Sequence, residues 1–165
     1  MEILNLGSHR IGVQFPEKGL YKGKKPAILI NEILPPLIDE YTLDSEKLAY
    51  GGFSLGGLAA VMSLWETKVF ASVFSLCGSF WFPGVADFVE EHPILNSSAR
   101  VYLQNGAREG EGHTNRLSEA TAYAQRVHTA LRTACRAETV LDEYGHHDQK
   151  AERFCAALRW VERGL

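Results

Sequence analysis

A serine hydroxyl is a poor nucleophile until a base takes its proton, and that base works best when a third group orients it. Residues of those three types recur along this chain in a telling order. Ser54 sits in Gly52-Phe53-Ser54-Leu55-Gly56, which fits G-x-S-x-G. Glu109 and Glu111 follow in "NGAREGEGH" (105–113), and His146 and His147 in "EYGHHDQKAE" (143–152). Serine, acid and histidine in this order suit acyl transfer through a covalent intermediate. Ser54 is the nucleophile, and the Leu55 N–H, at a helix start, is a donor for a tetrahedral oxyanion. Either histidine can accept the serine proton, and either glutamate can orient the imidazole. Phe80, Trp81 and Phe82 in "CGSFWFPG" (77–84) suit an apolar pocket for the acyl or aryl part of a substrate, and suit core packing as well. No HExxH pattern or second ligand cluster accompanies the histidine pair, so no metal is expected. The glycine-rich stretch lacks the Gly-Lys-Ser/Thr ending of a phosphate-binding loop. No cofactor is expected.

The elements that must position these groups can be read from periodicity. "KLAYGGF" (47–53) reads as a strand and "LGGLAAVMSLWE" (55–66) as a helix, so Ser54 stands on a sharp strand-to-helix turn. Strand and helix come so close there that glycine is expected at 52 and 56 to avoid a clash. "FASVFSLCG" (70–78), "ARVYLQNG" (99–106) and "AETVLDEYG" (137–145) read as further strands, and "EILNL" (2–6) as a first one. Residues 7–26 read as a loop. "AILINEILPPLIDEY" (27–41) has helical spacing that Pro35 and Pro36 must bend or restart. A short helix is expected within 80–95. Leu117, Ala120, Ala124, Val127, Leu131 and Ala134 form one apolar stripe over 114–134, and Ala151, Phe154, Leu158 and Val161 mark a closing helix. Strands apolar on both faces, alternating with helices, predict an α/β fold: a three-layer α/β/α sandwich with a mostly parallel sheet. The two candidate loops then lie at the same sheet edge as the serine turn.

The 165 residues suggest one domain, 1–165, large enough for a core without staples. A net charge of −3 with no basic stripe argues against nucleic acid as a partner. No apolar run reaches transmembrane length, so no membrane partner is expected. "MEILNLGSHR" lacks the basic start and apolar stretch of a signal peptide. Cys77, Cys135 and Cys155 show no CxxC spacing and suit reduced thiols, which points to the cytoplasm.

Five segments together are similar to the putative esterase family (esterase D, enterochelin-esterase-like) of the α/β-hydrolases: "NEILPPLIDEYTLD", "AYGGFSLGGLAA", "VFSLCGSFWF", "VYLQNGAREGE" and "EYGHHDQKAERFCAALRWV". They cover most of residues 27–162. The resemblance implies a serine hydrolase that cleaves carboxylic esters of small molecules. It matches Ser54 to the nucleophile, Leu55 to an oxyanion donor and Glu109 to the acid. The family's late motif resembles G-x-H-N-E-x-x-W and aligns His147 with the general base, with Glu152 where relatives often carry tryptophan. "LNLGSHRIGVQFP" resembles a strand and loop in which such esterases often carry an arginine, here Arg10. Relatives usually have two or three more strands ahead of this point, with an "HG"-type loop that supplies a second oxyanion donor. Only 53 residues precede Ser54 here. The chain therefore reads as a truncated α/β-hydrolase fold, with two consequences expected: weakened activity, and a homo-oligomer, a two-fold dimer along the N-terminal edge or the face beside it. Two other functions fit the same residues. One is an inactive hydrolase-like domain that binds a ligand or another subunit. The other is acyl transfer to an acceptor other than water.

Overall fold

The computed structural model describes residues 29–41 and 43–164. The expected strand at 2–6, the loop at 7–26, Arg10 and the N-terminal edge proposed for the dimer all lie outside them. A π-helical turn at Leu29–Ile33 gives way to α1, Leu34–Tyr41. The restart falls where Pro35 and Pro36 occupy the first helical turn, whose N–H groups would have no intrahelical partner in any case.

Beyond α1 the elements alternate: β1 (Ala49–Phe53), α2 (Leu55–Met62), β2 (Ser72–Leu76), α3 (Val85–Glu91), β3 (Arg100–Gly106), α4 (Ala120–Ala134), β4 (Arg136–Asp142) and α5 (Lys150–Glu162). All neighbouring strands are parallel, in the order β1-β2-β3-β4. Each crossover carries a helix. Strands added in one direction with right-handed crossovers put α2, α3 and α4 on one face. The chain then turns back, and α5 packs on the other face, against β2 and β3.

Strand side chains alternate between the two faces accordingly. Val73, Val101 and Leu103 join Leu58, Val61, Val127 and Leu131 in the larger core. Phe74, Leu76 and Tyr102 point the other way, to Ala157, Trp160 and Val161 of α5. All five residues of β2 are buried, as a strand covered on both faces requires. The stripe on α4 holds at Ala120, Ala124, Val127 and Leu131, with His128 also buried beside it. On α5 the buried face is Arg153, Ala157, Trp160 and Val161, while Ala151 is exposed and Phe154 and Leu158 are half-buried. The stripe expected at Ala151, Phe154, Leu158 and Val161 is thus rotated, because a buried arginine occupies its centre. No helix among the described residues is long and apolar enough to cross a membrane. All three cysteines are free thiols.

Parallel strands all end at one edge, and each loop leaving that edge brings one group to a common point. Ser54 follows β1, Cys77-Gly78-Ser79 follow β2, Glu109 follows β3 and His146 follows β4.

Candidate active site

Ser54 has φ 58° and ψ −118°, a left-handed conformation rare for a residue with a side chain. Such strain costs about 1–3 kcal/mol and persists only where neighbours enforce it. The enforcing bonds are Ser54 N–H to Leu76 O (2.9 Å), Leu58 N–H to Ser54 O (3.0 Å) and Ser79 N–H to Ser54 O (3.2 Å). The close approach of strand and helix is real at Gly52, where an added Cβ would stand 2.7 Å from the Gly56 backbone carbon. At Gly56 itself an added Cβ meets nothing within 4 Å. The second glycine the packing needs is Gly57, whose Cβ would lie 2.5 Å from Ser75 Oγ and 3.0 Å from Gly52 O.

Ser54 Oγ is 3.1 Å from His146 Nε2, and His146 Nδ1 is 2.8 Å from Glu109 Oε2. The structure thus brings Ser54 and Glu109 together as expected, but through His146 and not His147. The His147 ring stands edge-on to His146, centroids 4.8 Å apart, and 6.4 Å from the Phe53 ring. The loop register explains the correction. Arg153 Nη1 donates to Gly145 O (3.1 Å) and approaches His146 O (3.5 Å), which fixes the residue after Gly145 over the serine. The Phe53 ring, 4.9 Å from the His146 ring, supports it from the side of the elbow. Burial, then the neighbouring His146 and Lys150, holds the His147 imidazole below its usual pKa.

Glu109 is buried, 5% exposed, whereas Glu111 is exposed and paired with Arg108 at 2.8 Å. Burial pushes the Glu109 carboxyl up, but hydrogen bonds from His146, the Gly106 N–H and the Cys77 thiol hold it below the usual carboxylate range. It is therefore an anion and accepts only. The Nδ1–H of His146 is then the donor, and in the neutral imidazole this leaves Nε2 as the acceptor that a general base requires.

Two supports lie behind this chain. On one side Glu109 Oε1 accepts from the Gly106 N–H (2.7 Å) and from Asn105 Nδ2 (3.1 Å), and Asn105 Oδ1 lies 3.1 Å from Nε2 of buried His128. On the other side Arg153, 1% exposed, donates Nε (2.8 Å) and Nη2 (2.6 Å) to the two oxygens of Asp142, and Nη1 to Cys77 Sγ (2.8 Å). Burial pushes the Cys77 thiol up, with the Glu109 charge adding to it, so it stays protonated. Cys77, Glu109 and His146 place their ligand atoms within 4.8 Å of one another. Those atoms already bond one another and Arg153, so the cluster is internally satisfied.

The other expected residues divide. Leu55 opens α2, so its N–H is one of the helix's first donors, which have no carbonyl within the helix. Phe80 is fully buried in the larger core and does not line an open pocket, because the turn at Gly78 points its ring inward. Trp81 and Phe82 are half-buried, with ring centroids 5.1 Å apart. Arg153, Asp142, Asn105, His128 and Ser79 were not anticipated. Only Arg153 had a readable signal: a cation four residues before Ala157 and eight before Val161, on the buried side of a helix.

A family of esterases matches the chain over residues 10–160, under the description "Putative esterase". The chain belongs to that family. A relative, "Uncharacterized protein YbbA" of Bacillus subtilis (strain 168), is 25% identical over 142 residues, 81% of this chain and 57% of its own length. Among solved structures, the ferric enterobactin esterase of Salmonella typhimurium superposes with a TM-score of 0.60 at 21% identity, covering 81% of this chain and 34% of that one. A ferulic acid esterase superposes with a TM-score of 0.67 at 16% identity, covering 84% and 60%. The fold is that of the α/β-hydrolase esterases, and this chain spans between about a third and three fifths of the lengths of these three proteins.

Proposed function

We propose that the protein is a serine esterase that cleaves carboxylic esters of small molecules through an acyl-enzyme. One observation carries the reading: an unbroken hydrogen-bonded chain from Ser54 through His146 to the Glu109 carboxylate, at the sheet edge where parallel strands end. His146 Nε2 takes the Ser54 proton as Oγ attacks the carbonyl carbon, and returns it to the leaving alcohol. Glu109 holds the imidazole in the right tautomer and stabilises the imidazolium. A water then repeats the attack, with His146 again as base, and frees Ser54. The Leu55 N–H faces the developing oxyanion. These residues complete the reaction without a cofactor.

With the Leu55 N–H as the one oxyanion donor named in this reading, kcat should be modest, since each donor contributes about 3 kcal/mol to the transition state. Hydrolysis of a short p-nitrophenyl ester tests the reading. Ser54→Ala should abolish it while the far-UV circular dichroism stays unchanged. Undiminished hydrolysis in that variant would end the proposal.

A further inference from the structure

We propose that Ser79 is a second catalytic hydroxyl: it donates a hydrogen bond to the Ser54 oxygen and stabilises the charge that builds there as the proton leaves. The inference rests on the serine-esterase reading and concerns a residue that reading does not use.

The direction of this bond follows from counting protons. Among the described residues, Ser54 Oγ has two hydrogen-bond neighbours, His146 Nε2 at 3.1 Å and Ser79 Oγ at 3.2 Å. A hydroxyl carries one hydrogen. In the neutral form that a general base needs, His146 uses its one ring hydrogen on the Glu109 carboxylate, so Nε2 is an acceptor and claims the Ser54 hydrogen. The bond between the two serines must then run from Ser79 to Ser54.

Ser79 is built to hold that position. It is 2% exposed. Its N–H donates to Ser54 O at 3.2 Å, and its carbonyl accepts from the Phe82 N–H at 3.2 Å. The turn before it is tight: Cys77 has φ 50°, and its N–H donates to Gln104 O at 2.7 Å. At Gly78 a Cβ would stand 2.5 Å from the Phe80 ring. The buried Phe80 ring thus pins the turn that presents Ser79. A donor fixed in advance loses little on reorganising as charge appears, and counts for more where water is excluded.

The step balances without a further reactant. The Ser54 proton moves to His146 Nε2, the Oγ electron pair forms the bond to the ester carbon, and the carbonyl π pair moves onto its oxygen. Ser79 keeps its proton throughout. In deacylation Oγ leaves as the developing alkoxide, and the same donor stabilises it.

The test uses Ser79→Ala in the full chain. We expect kcat for a p-nitrophenyl ester, and the rate of fluorophosphonate labelling of Ser54, to fall about ten- to hundredfold. KM should stay within about twofold and the melting temperature within a few degrees. Ser79→Cys keeps the volume with a weaker donor and should slow labelling as well, which covers the case of an alanine variant that does not fold. Wild-type rates in either folded variant would overturn the role. So would a fall in rate matched by a loss of folded protein, which would make Ser79 a packing residue. If wild-type protein neither hydrolyses esters nor labels, the esterase reading fails first and takes this inference with it.

Discussion

Two adjacent histidines follow β4, and of the two it is His146 that hydrogen-bonds Ser54 Oγ. The Gly-x-Ser-x-Gly pattern and the acid in the loop after β3 were legible, because each depends on residue type and chain order. The choice between His146 and His147 was not. Neighbouring residues in a loop differ only by a rotation of the backbone, and that rotation is set by Arg153, seven residues beyond His146. His146→Ala should lower kcat by about three orders of magnitude, whereas His147→Ala should keep activity within a few-fold. Steady-state kinetics on the two purified variants decides it, and the opposite ranking would place the base at His147.

Strand and helix meet at Gly52 and Gly57, and Arg153 joins α5 to the end of β4. The elements themselves were readable from alternating apolar runs, and four of the expected strands match β1 to β4 to within three residues. The glycine pairing was misread by one residue, since helix packing selects the residue whose Cα faces the strand, here Gly57. The two kinds of glycine should respond oppositely. Gly52→Ala should destabilise by about 2 kcal/mol or more, because the added carbon meets backbone that cannot yield. Gly56→Ala meets open space within a helix and should raise stability by about 0.5–1 kcal/mol. Urea titrations of both variants test this pair. Burial pushes the Asp142 carboxyl up, but Arg153, the Tyr144 N–H and Gln104 hold it below the usual range. Arg153→Met removes the main partner of that carboxylate and should destabilise by about 3 kcal/mol, as well as slowing catalysis through the loosened Gly145-His146 turn. The same titration, read beside kcat, separates the two effects.

Over the whole molecule, the covering of β2 and β3 on both faces was legible, because parallel strands buried on both sides read as continuous apolar runs. The polar network inside was not, since Asp142 meets Gln104 and Arg153, and Asn105 meets His128, only once strands and helices are in place. His128 gives that network a pH signature. Burial, then the nearby Arg132 charge, holds its imidazole down to about 4. A lowered histidine pKa means that its share of stability is full above the ordinary value of about 6.5 and is lost as the pH falls through about 4. That loss amounts to roughly 3 kcal/mol. His128→Gln keeps an amide beside Asn105 and has no proton to gain, so melting curves between pH 7 and 4 should be flatter for it than for the wild type. An equal slope would place the acid sensitivity elsewhere. The proposed esterase activity depends on the reactivity of one hydroxyl, and intact-mass analysis after exposure to a fluorophosphonate reads it directly. We predict one adduct, mapped to Ser54, absent in Ser54→Ala and formed far more slowly in His146→Ala. Wild-type protein that takes up no adduct, or takes it up at another residue, would contradict the account.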